Sequence, residues 1–259
     1  DIHRRAAGFE DWIPRHVTLQ EQILAGRTTQ EWADQRKKQW GEDSPVYQAR
    51  VLGEFPELSD DALISLTWVE WAIEKYKTEK PPEDAQCYEG LDVARYGSSR
   101  SVATVRQDDF VVLIEPWSGN SLMETAGRAR RFRDTYSAQL LVDEVGVGAG
   151  VLDKLLEMDV LALGINGSDA ANDSEHFANL RAEMYWSVRE RFMTRRIAIP
   201  DNPDLIGELT SMKYKITPKG QIQIESKDDM KKRGLESPDT ADSLVLAFAP
   251  VTSFLLEFA

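Results

Sequence analysis

The chain has 259 residues, with 31 Lys and Arg against 44 Asp and Glu and a formal net charge of −13, so a protein that simply coats nucleic acid is excluded. Hydrophobic residues make up 42% and charged residues 29%, which excludes a disordered or fibrous chain and suits one large or two small globular domains. No apolar run reaches the roughly 18 residues of a membrane span, the opening DIHRRAAGFEDW has no signal-peptide core, and Cys87 with His3, His16 and His176 gives neither an internal disulfide nor zinc-site spacing, so a cytosolic protein is expected.

Residues 19–40 read as helix in pieces, with Trp32 and Trp40 among polar residues. Residues 41–57 mix turn signals with a short apolar run. Trp68, Val69, Trp71 and Ala72 suggest a short helix. The stretch KTEKPPEDAQ (77–86) is charged, carries two adjacent prolines and reads as a linker. The division expected is 1–84, incomplete as a pattern, and 85–259. Their charges are nearly balanced, 11 basic and 17 acidic in the first, 20 and 27 in the second. Residues 87–94 form a first apolar strand. Residues 101–106 and 110–116 follow as strands around the turn Gln107-Asp108-Asp109. Residues 121–136 read as a helix and 139–142 as a strand ending in Asp143. Gly146, Gly148 and Gly150 make a turn into a helix bearing Val151, Leu152, Leu155 and Leu156. Residues 160–165 are a further strand. Phe177, Leu180, Met184, Val188 and Phe192 recur at helical spacing. Residues 213–216 and 221–225 form a hairpin, and 239–248 a final helix. Three early strands followed by strands alternating with helices predict an α/β fold, a mixed sheet flanked by helices and preceded by a mostly helical segment.

Four carboxylates stand where elements end. Asp92 lies in an apolar strand, where burial is costly without a partner. Asp143 ends a strand, and sites in open α/β sheets collect at such ends. Asp239 and Asp242 open the last helix on nearly one face. If the first and fourth strands are neighbours, Asp92 and Asp143 converge. At ~4 Å and an effective dielectric near 20, each pair of like charges costs about 4 kcal/mol. A hard divalent cation, Mg²⁺ or Mn²⁺, removes that cost, and two ions about 4 Å apart suit phosphodiester hydrolysis. Plainer readings stand beside this one. Asp239 suits an N-cap, Asp242 a first helical turn, and Asp143 a turn before the glycines.

These residues carry a family resemblance. Gly90-Leu91-Asp92-Val93-Ala94-Arg95-Tyr96-Gly97, followed by Ser99-Arg100-Ser101-Val102, resembles the first acidic motif of the nuclease domain of viral terminase large subunits. Asp143-Glu144-Val145-Gly146-Val147-Gly148 looks like the second. The segment from Glu225 to Arg233, with Ser237-Pro238-Asp239-Thr240-Ala241-Asp242-Ser243-Leu244, resembles the third. The resemblance covers about residues 41–250. It implies a ribonuclease H-like fold and a metal-dependent endonuclease that cuts concatemeric double-stranded viral DNA during genome packaging in the host cytoplasm. It implies Asp92, Asp143 and Asp239 as metal ligands and catalytic residues. Asp242 enters as a fourth by similarity to the junction resolvases of that fold. It also implies the terminase small subunit and the portal protein as partners. Such subunits begin with a packaging ATPase, and this chain contains no G-x-x-x-x-G-K-[ST]. Residues 1–84 are therefore expected to be the end of the ATPase region plus linker, in a fragment or processed product.

Basic residues fall in groups. Arg128, Arg130, Arg131 and Arg133 share one helix, and Arg189, Arg191, Arg195 and Arg196 end another; both read best as solvated faces. Lys213, Lys215 and Lys219 on the hairpin, with Lys227, Lys231, Lys232 and Arg233 after it, precede Asp239 and are the candidate DNA contacts. No base-reading motif is present, so little sequence preference is expected. The competing readings are a junction-resolving nuclease of the same fold and a non-enzymatic docking module whose carboxylates only cap helices.

Overall fold

The computed structural model describes residues 16–42, 44–54, 61–94 and 100–250. Arg95, Tyr96, Gly97 and Ser99 of the first motif, and the opening DIHRRAAGFEDW with His3, lie outside the described residues.

Among the described residues four helices precede β1: α1 (Leu19–Leu24), α2 (Gln30–Trp40), α3 (Pro45–Tyr47), which runs into a π-helical turn at Gln48–Leu52, and α4 (Leu66–Thr78). Thr18, Thr29, Ser44 and Ser65 cap them, each side-chain oxygen accepting a backbone N–H of the first turn. Where the sequence suggests turns after residue 41, the chain is helical, because Ser44 caps, Pro45 opens the helix and Val46, Tyr47 and Val51 are buried. Residues 79–86 carry no helix or strand.

The main sheet holds β1 (Cys87–Asp92), β2 (Ser101–Gln107), β3 (Phe110–Trp117), β4 (Gln139–Asp143) and β5 (Ala162–Ile165) in the order β3-β2-β1-β4-β5. β1 runs antiparallel to β2 and β2 to β3, whereas β1–β4 and β4–β5 are parallel. α5 (Leu122–Tyr136) follows β3, and α6 (Val147–Glu157) joins β4 to β5. Then come α7 (Leu180–Met193), α8 (Pro203–Ser211), the hairpin β6 (Tyr214–Ile216) and β7 (Ile222–Ile224), α9 (Lys227–Lys232) and α10 (Asp239–Ala247). α7 starts at Leu180, capped by Asn179, so Phe177 precedes the helix and instead bridges to Ile222.

Alternation along the strands divides the core in two. Leu91, Ala103, Leu140 and Val142 pack with Ala126, Ala129 and Val151 of α5 and α6. On the other side Val111 and Leu141 join Tyr185, Leu205 and Leu244 of α7, α8 and α10. Trp40, Val46, Leu63 and Val69 belong to this same second cluster, so the described helices before β1 complete a shared core.

α10 is buried along its whole length and lies on β1 and β2. Gly90 makes this possible, because a side chain there would run into the backbone of Ser243 and Ala247. Thr104 and Ser243 share a buried hydrogen bond of 2.6 Å. At the other end the Arg106 guanidinium donates to Ala247 O at 2.5 Å, at the helix terminus that favours a cation. Burial lowers the pKa of Arg106 to about 10. These contacts fix where the N-terminus of α10 meets the sheet.

Candidate active site

β1 and β4 are parallel neighbours with Leu91 opposite Val142, so the next residues, Asp92 and Asp143, stand at adjoining strand ends on the face that carries α10. Asp143 Oδ1 accepts the Val145 N–H at 3.1 Å. Gly146 turns the chain with a φ of +67°, and Gly148 lies against the Asp143 carbonyl with no room for a side chain. α10 brings Asp242 in its first turn. Asp92, Asp143 and Asp242 line one cleft of about 370 Å³, together with Arg181, Tyr185 and Lys227.

The three carboxylates are held differently. Asp242 Oδ1 accepts the Tyr185 hydroxyl at 2.6 Å and faces Arg181 Nη2 at 3.4 Å. Lys227 Nζ lies 2.8 Å from Asp242 Oδ2, which has this ion pair but no well-aligned hydrogen bond. Asp92 is 4% exposed, and among the described residues its carboxylate has no hydrogen bond or ion pair. Burial pushes Asp92 well above the usual carboxylate range; Lys227 opposes this, and Asp242, Asp239 and Asp143 add to it. Burial also raises Asp143, against the Val145 N–H and Lys227. For Asp242 burial acts upward, but Lys227 and Arg181 outweigh it and hold the group below its ordinary value. Lys227 stays firmly protonated, since Asp242 and Asp92 outweigh the cost of its burial.

A cluster of hard oxygen donors with a buried, unpartnered Asp92 fits a divalent cation in kind. Among the described residues, however, no group of three or more His, Cys, Asp or Glu is arranged to hold a metal ion as it stands. The cation now in the cluster is the Lys227 ammonium.

Asp239 stands at the edge of this cluster, close enough to add to the acidic field at Asp92. Its Oδ2 accepts the Arg100 N–H at 3.3 Å, and it lines a separate cleft of about 880 Å³ with Arg100, Glu208 and Lys231. It makes no side-chain cap; Glu208 of α8 accepts the Ala241 N–H at 2.7 Å instead.

The seven basic candidates also divide. Lys213 pairs with Asp61 at 2.9 Å, Lys232 with Asp229 at 2.7 Å, and Arg233 with Glu225 at 2.6 Å. Lys227 belongs to the carboxylate cleft. Lys215, Lys219 and Lys231 are exposed and have no ion pair among the described residues. On α5, Arg130 and Arg133 pair with Asp134, while Arg128 and Arg131 lie over Trp117 and Phe132.

Sequence reasoning missed Arg181, Tyr185 and Glu208. The first two are polar positions on an amphipathic helix, and nothing local marks them as facing a site. Glu208 lies on α8, whose start is written in Asn202-Pro203-Asp204, a cap followed by proline and an acidic first turn.

No known protein-family profile matches the chain. A curated protein described as a probable terminase, large subunit, from Enterobacteria phage P7 is 25% identical over 225 residues, 80% of this chain and 45% of that protein. The chain thus spans less than half the length of this relative. Among solved structures, the nuclease domain of the large terminase subunit gp2 of bacterial virus Sf6 superposes with a TM-score of 0.63 at 23% identity, covering 72% of this chain and 98% of that one. A variant of that domain with manganese and beta-thujaplicinol gives 0.62 at 23%, with the same coverage. The large terminase nuclease from thermophilic phage G20c with bound magnesium gives 0.57 at 16%, covering 74% and 98%. The chain is therefore similar in sequence to a phage terminase large subunit, and its five-stranded mixed sheet flanked by helices is the ribonuclease H-like fold of large-terminase nuclease domains.

Proposed function

We propose that this chain carries the nuclease of a terminase large subunit, a metal-dependent endonuclease that cuts concatemeric double-stranded DNA during phage genome packaging with little sequence preference. The observation that carries this reading is the meeting of Asp92, Asp143 and Asp242 in one cleft at the end of β1 and β4. Manganese or magnesium in the two structural relatives adds support. Asp92, Asp143 and Asp242 are the residues that would hold Mg²⁺ or Mn²⁺, with Asp239 adjoining. Two such ions would supply Lewis-acid activation of water and charge stabilisation at the phosphodiester. Tyr185 and Arg181 orient Asp242, and Lys215, Lys219 and Lys231 meet the phosphate backbone.

Residues 1–84 are, in this reading, the end of the ATPase region and its linker, and the working complex includes a small subunit and a portal protein in the host cytoplasm. Among the described residues no helix is long and apolar enough to cross a membrane.

The test is incubation with supercoiled plasmid. Nicking is expected in Mn²⁺ and not in excess chelator. Asp92→Asn keeps the shape of the side chain and removes its charge. Its rate should fall by more than the ~10–100-fold that loss of an outer-shell partner costs at a metal site, with the fold intact by circular dichroism. Asp143→Asn should behave likewise. An Asp92→Asn protein that nicks at the parent rate ends the assignment.

A further inference from the structure

Arg189, in the second half of α7, is a guanidinium that no oxygen satisfies. Its Cζ lies over two indoles, 4.3 Å from the ring centre of Trp186 and 5.3 Å from that of Trp68 on α4. Its Nε is buried without a hydrogen bond, and its Nη1 reaches only the Met193 thioether at 3.8 Å. A guanidinium carries five N–H donors, and its strong partners are carboxylates and phosphates. Here the rings supply packing and cation–π attraction and leave the donors unused. The surroundings repeat the pattern. Arg195, just past the end of α7, has its Cζ 3.5 Å from the ring centre of Trp71, one turn after Trp68 on α4. Arg195 and Arg196 are exposed, and among the described residues neither they nor Arg189 forms an ion pair. In the other direction Trp186 meets Tyr214 of β6 edge-on at 5.3 Å, beside Lys215. A strip of indoles and arginines thus runs from the end of α7 to the hairpin.

We propose that Arg189, Arg195 and Arg196, framed by Trp68, Trp71 and Trp186, form a second contact for the phosphate backbone of duplex DNA, outside the carboxylate cleft and continuous with the hairpin. This rests on the nuclease reading above and adds where its substrate is held. The ligand must be anionic, to use arginines left without a carboxylate in a chain with 44 acidic residues. It must also be extended, to reach from the middle of α7 past its end. Arg181 of the same helix lines the carboxylate cleft, and Arg189 lies about 12 Å further along the axis. That distance is about three to four base pairs at 3.4 Å per step, so a duplex seated at the cleft reaches the strip within half a turn. Stacking on the indoles orders the planar fork before DNA arrives, so less side-chain freedom is lost on contact. Phosphates carry no sequence, and the strip serves any duplex.

The experiment is binding of a fluorescent duplex several helical turns long, in excess chelator so that neither metal nor cleavage intervenes, across a salt series. The parent is compared with Arg189→Gln, with Arg195→Gln and Arg196→Gln together, and with all three, each checked by thermal melt. At about 0.9 per phosphate contact, the triple variant should lose up to about 2.7 of the slope of log affinity on log salt, and at least about tenfold in affinity for every sequence tried. Arg189→Lys keeps the charge without the planar fork, and should lose affinity while keeping most of the slope. Arg130→Gln with Arg131→Gln, on α5 at the other face of the sheet, should change neither. Parent affinity and slope in a folded triple variant would overturn the subsite and leave the arginines to an acidic protein surface. An equal loss from the α5 pair would overturn it in favour of net charge. If Arg189→Gln frees α4 from α7 and unfolds the protein, the exposed pair decides, with up to about 1.8 of slope lost as the expected result and no loss as the overturning one. Plasmid nicking by the parent in Mn²⁺ tests the nuclease reading separately, whatever the arginines do.

Discussion

Two acidic residues of β1, three positions apart, show how the face of a strand decides what a carboxylate does. Asp92 points to the α10 side, among other carboxylates and a lysine. Glu89 points the other way, is 0% exposed, and neither carboxylate oxygen has a hydrogen bond among the described residues. Burial raises its pKa well above the usual range; Arg133 opposes this and Asp134 adds to it. A raised folded-state pKa gives stability that is complete below the unfolded value and is lost as pH climbs through the folded value. Glu89→Gln never ionises and has nearly the same shape. Its stability should approach the parent's in acid and exceed it increasingly toward neutral pH, by up to about 1.4 kcal/mol per pH unit within that window. Urea unfolding at pH 4.5 and 7.5 measures this, and a gap independent of pH would show that Glu89 is not a neutral acid in the fold. Asp92 was legible in the sequence because a charge in an apolar strand asks for a reason. Glu89 meets the same criterion in the same strand, and the odd spacing puts it on the opposite face; only the fold shows that α5 covers that face and buries it.

At the scale of elements, the site depends on one helix lying directly on one strand. Gly90→Ala would push a methyl into the backbone of Ser243 and Ala247, which cannot move as a flexible side chain does. Overpacking of this kind costs typically ~1–3 kcal/mol and sometimes more, and here it also lifts Asp242 away from Asp92. Gly127 is the internal control: it sits in α5, exposed, with nothing within 4 Å of an added methyl. Gly127→Ala should stabilise by about 0.5–1 kcal/mol, because glycine mid-helix costs that much relative to alanine. Thermal melts of the two variants should move in opposite directions, with only Gly90→Ala losing plasmid nicking. A Gly90→Ala protein as stable and active as the parent would show that α10 does not need this contact. The strands, the hairpin, α5, α6 and α10 were legible because period and turn residues agree there. The adjacency of β1 and β4 was legible only as a condition, since parallel pairing joins residues about fifty positions apart with no local mark. That Asp239 also faces a second cleft was not legible: three residues along a helix place it with Asp242, and its contact with Arg100, from a distant element, appears only in the fold.

Over the whole molecule, the proposed function brings a net charge of −13 to a polyanion. The acidic cleft repels DNA, so approach depends on cations not already spent on neighbours. Of the seven basic residues around the hairpin and α9, ion pairs occupy Lys213, Lys227, Lys232 and Arg233. Lys215, Lys219 and Lys231 remain, exposed and unpaired among the described residues. The first two lie on β6 and the hairpin turn, and the hairpin strand β7 contributes Ile224 to the carboxylate cleft; Lys231 lines the neighbouring cleft that holds Asp239. The three thus spread from the hairpin to α9 along the face where the proposed duplex would cross. Changing all three to Gln should weaken binding of any duplex sequence alike and flatten the dependence of log affinity on log salt by up to about 2.7, at about 0.9 per phosphate contact. Arg130 and Arg131 lie on α5, the helix that packs on the opposite face of the sheet. Changing these two to Gln removes a similar amount of charge from the wrong side, so the salt slope should stay at the parent value. Binding measured by fluorescence anisotropy across a salt series separates the two outcomes. An equal effect from both sets would mean that net charge alone draws DNA to the molecule, and an effect from α5 alone would put the duplex on the other face.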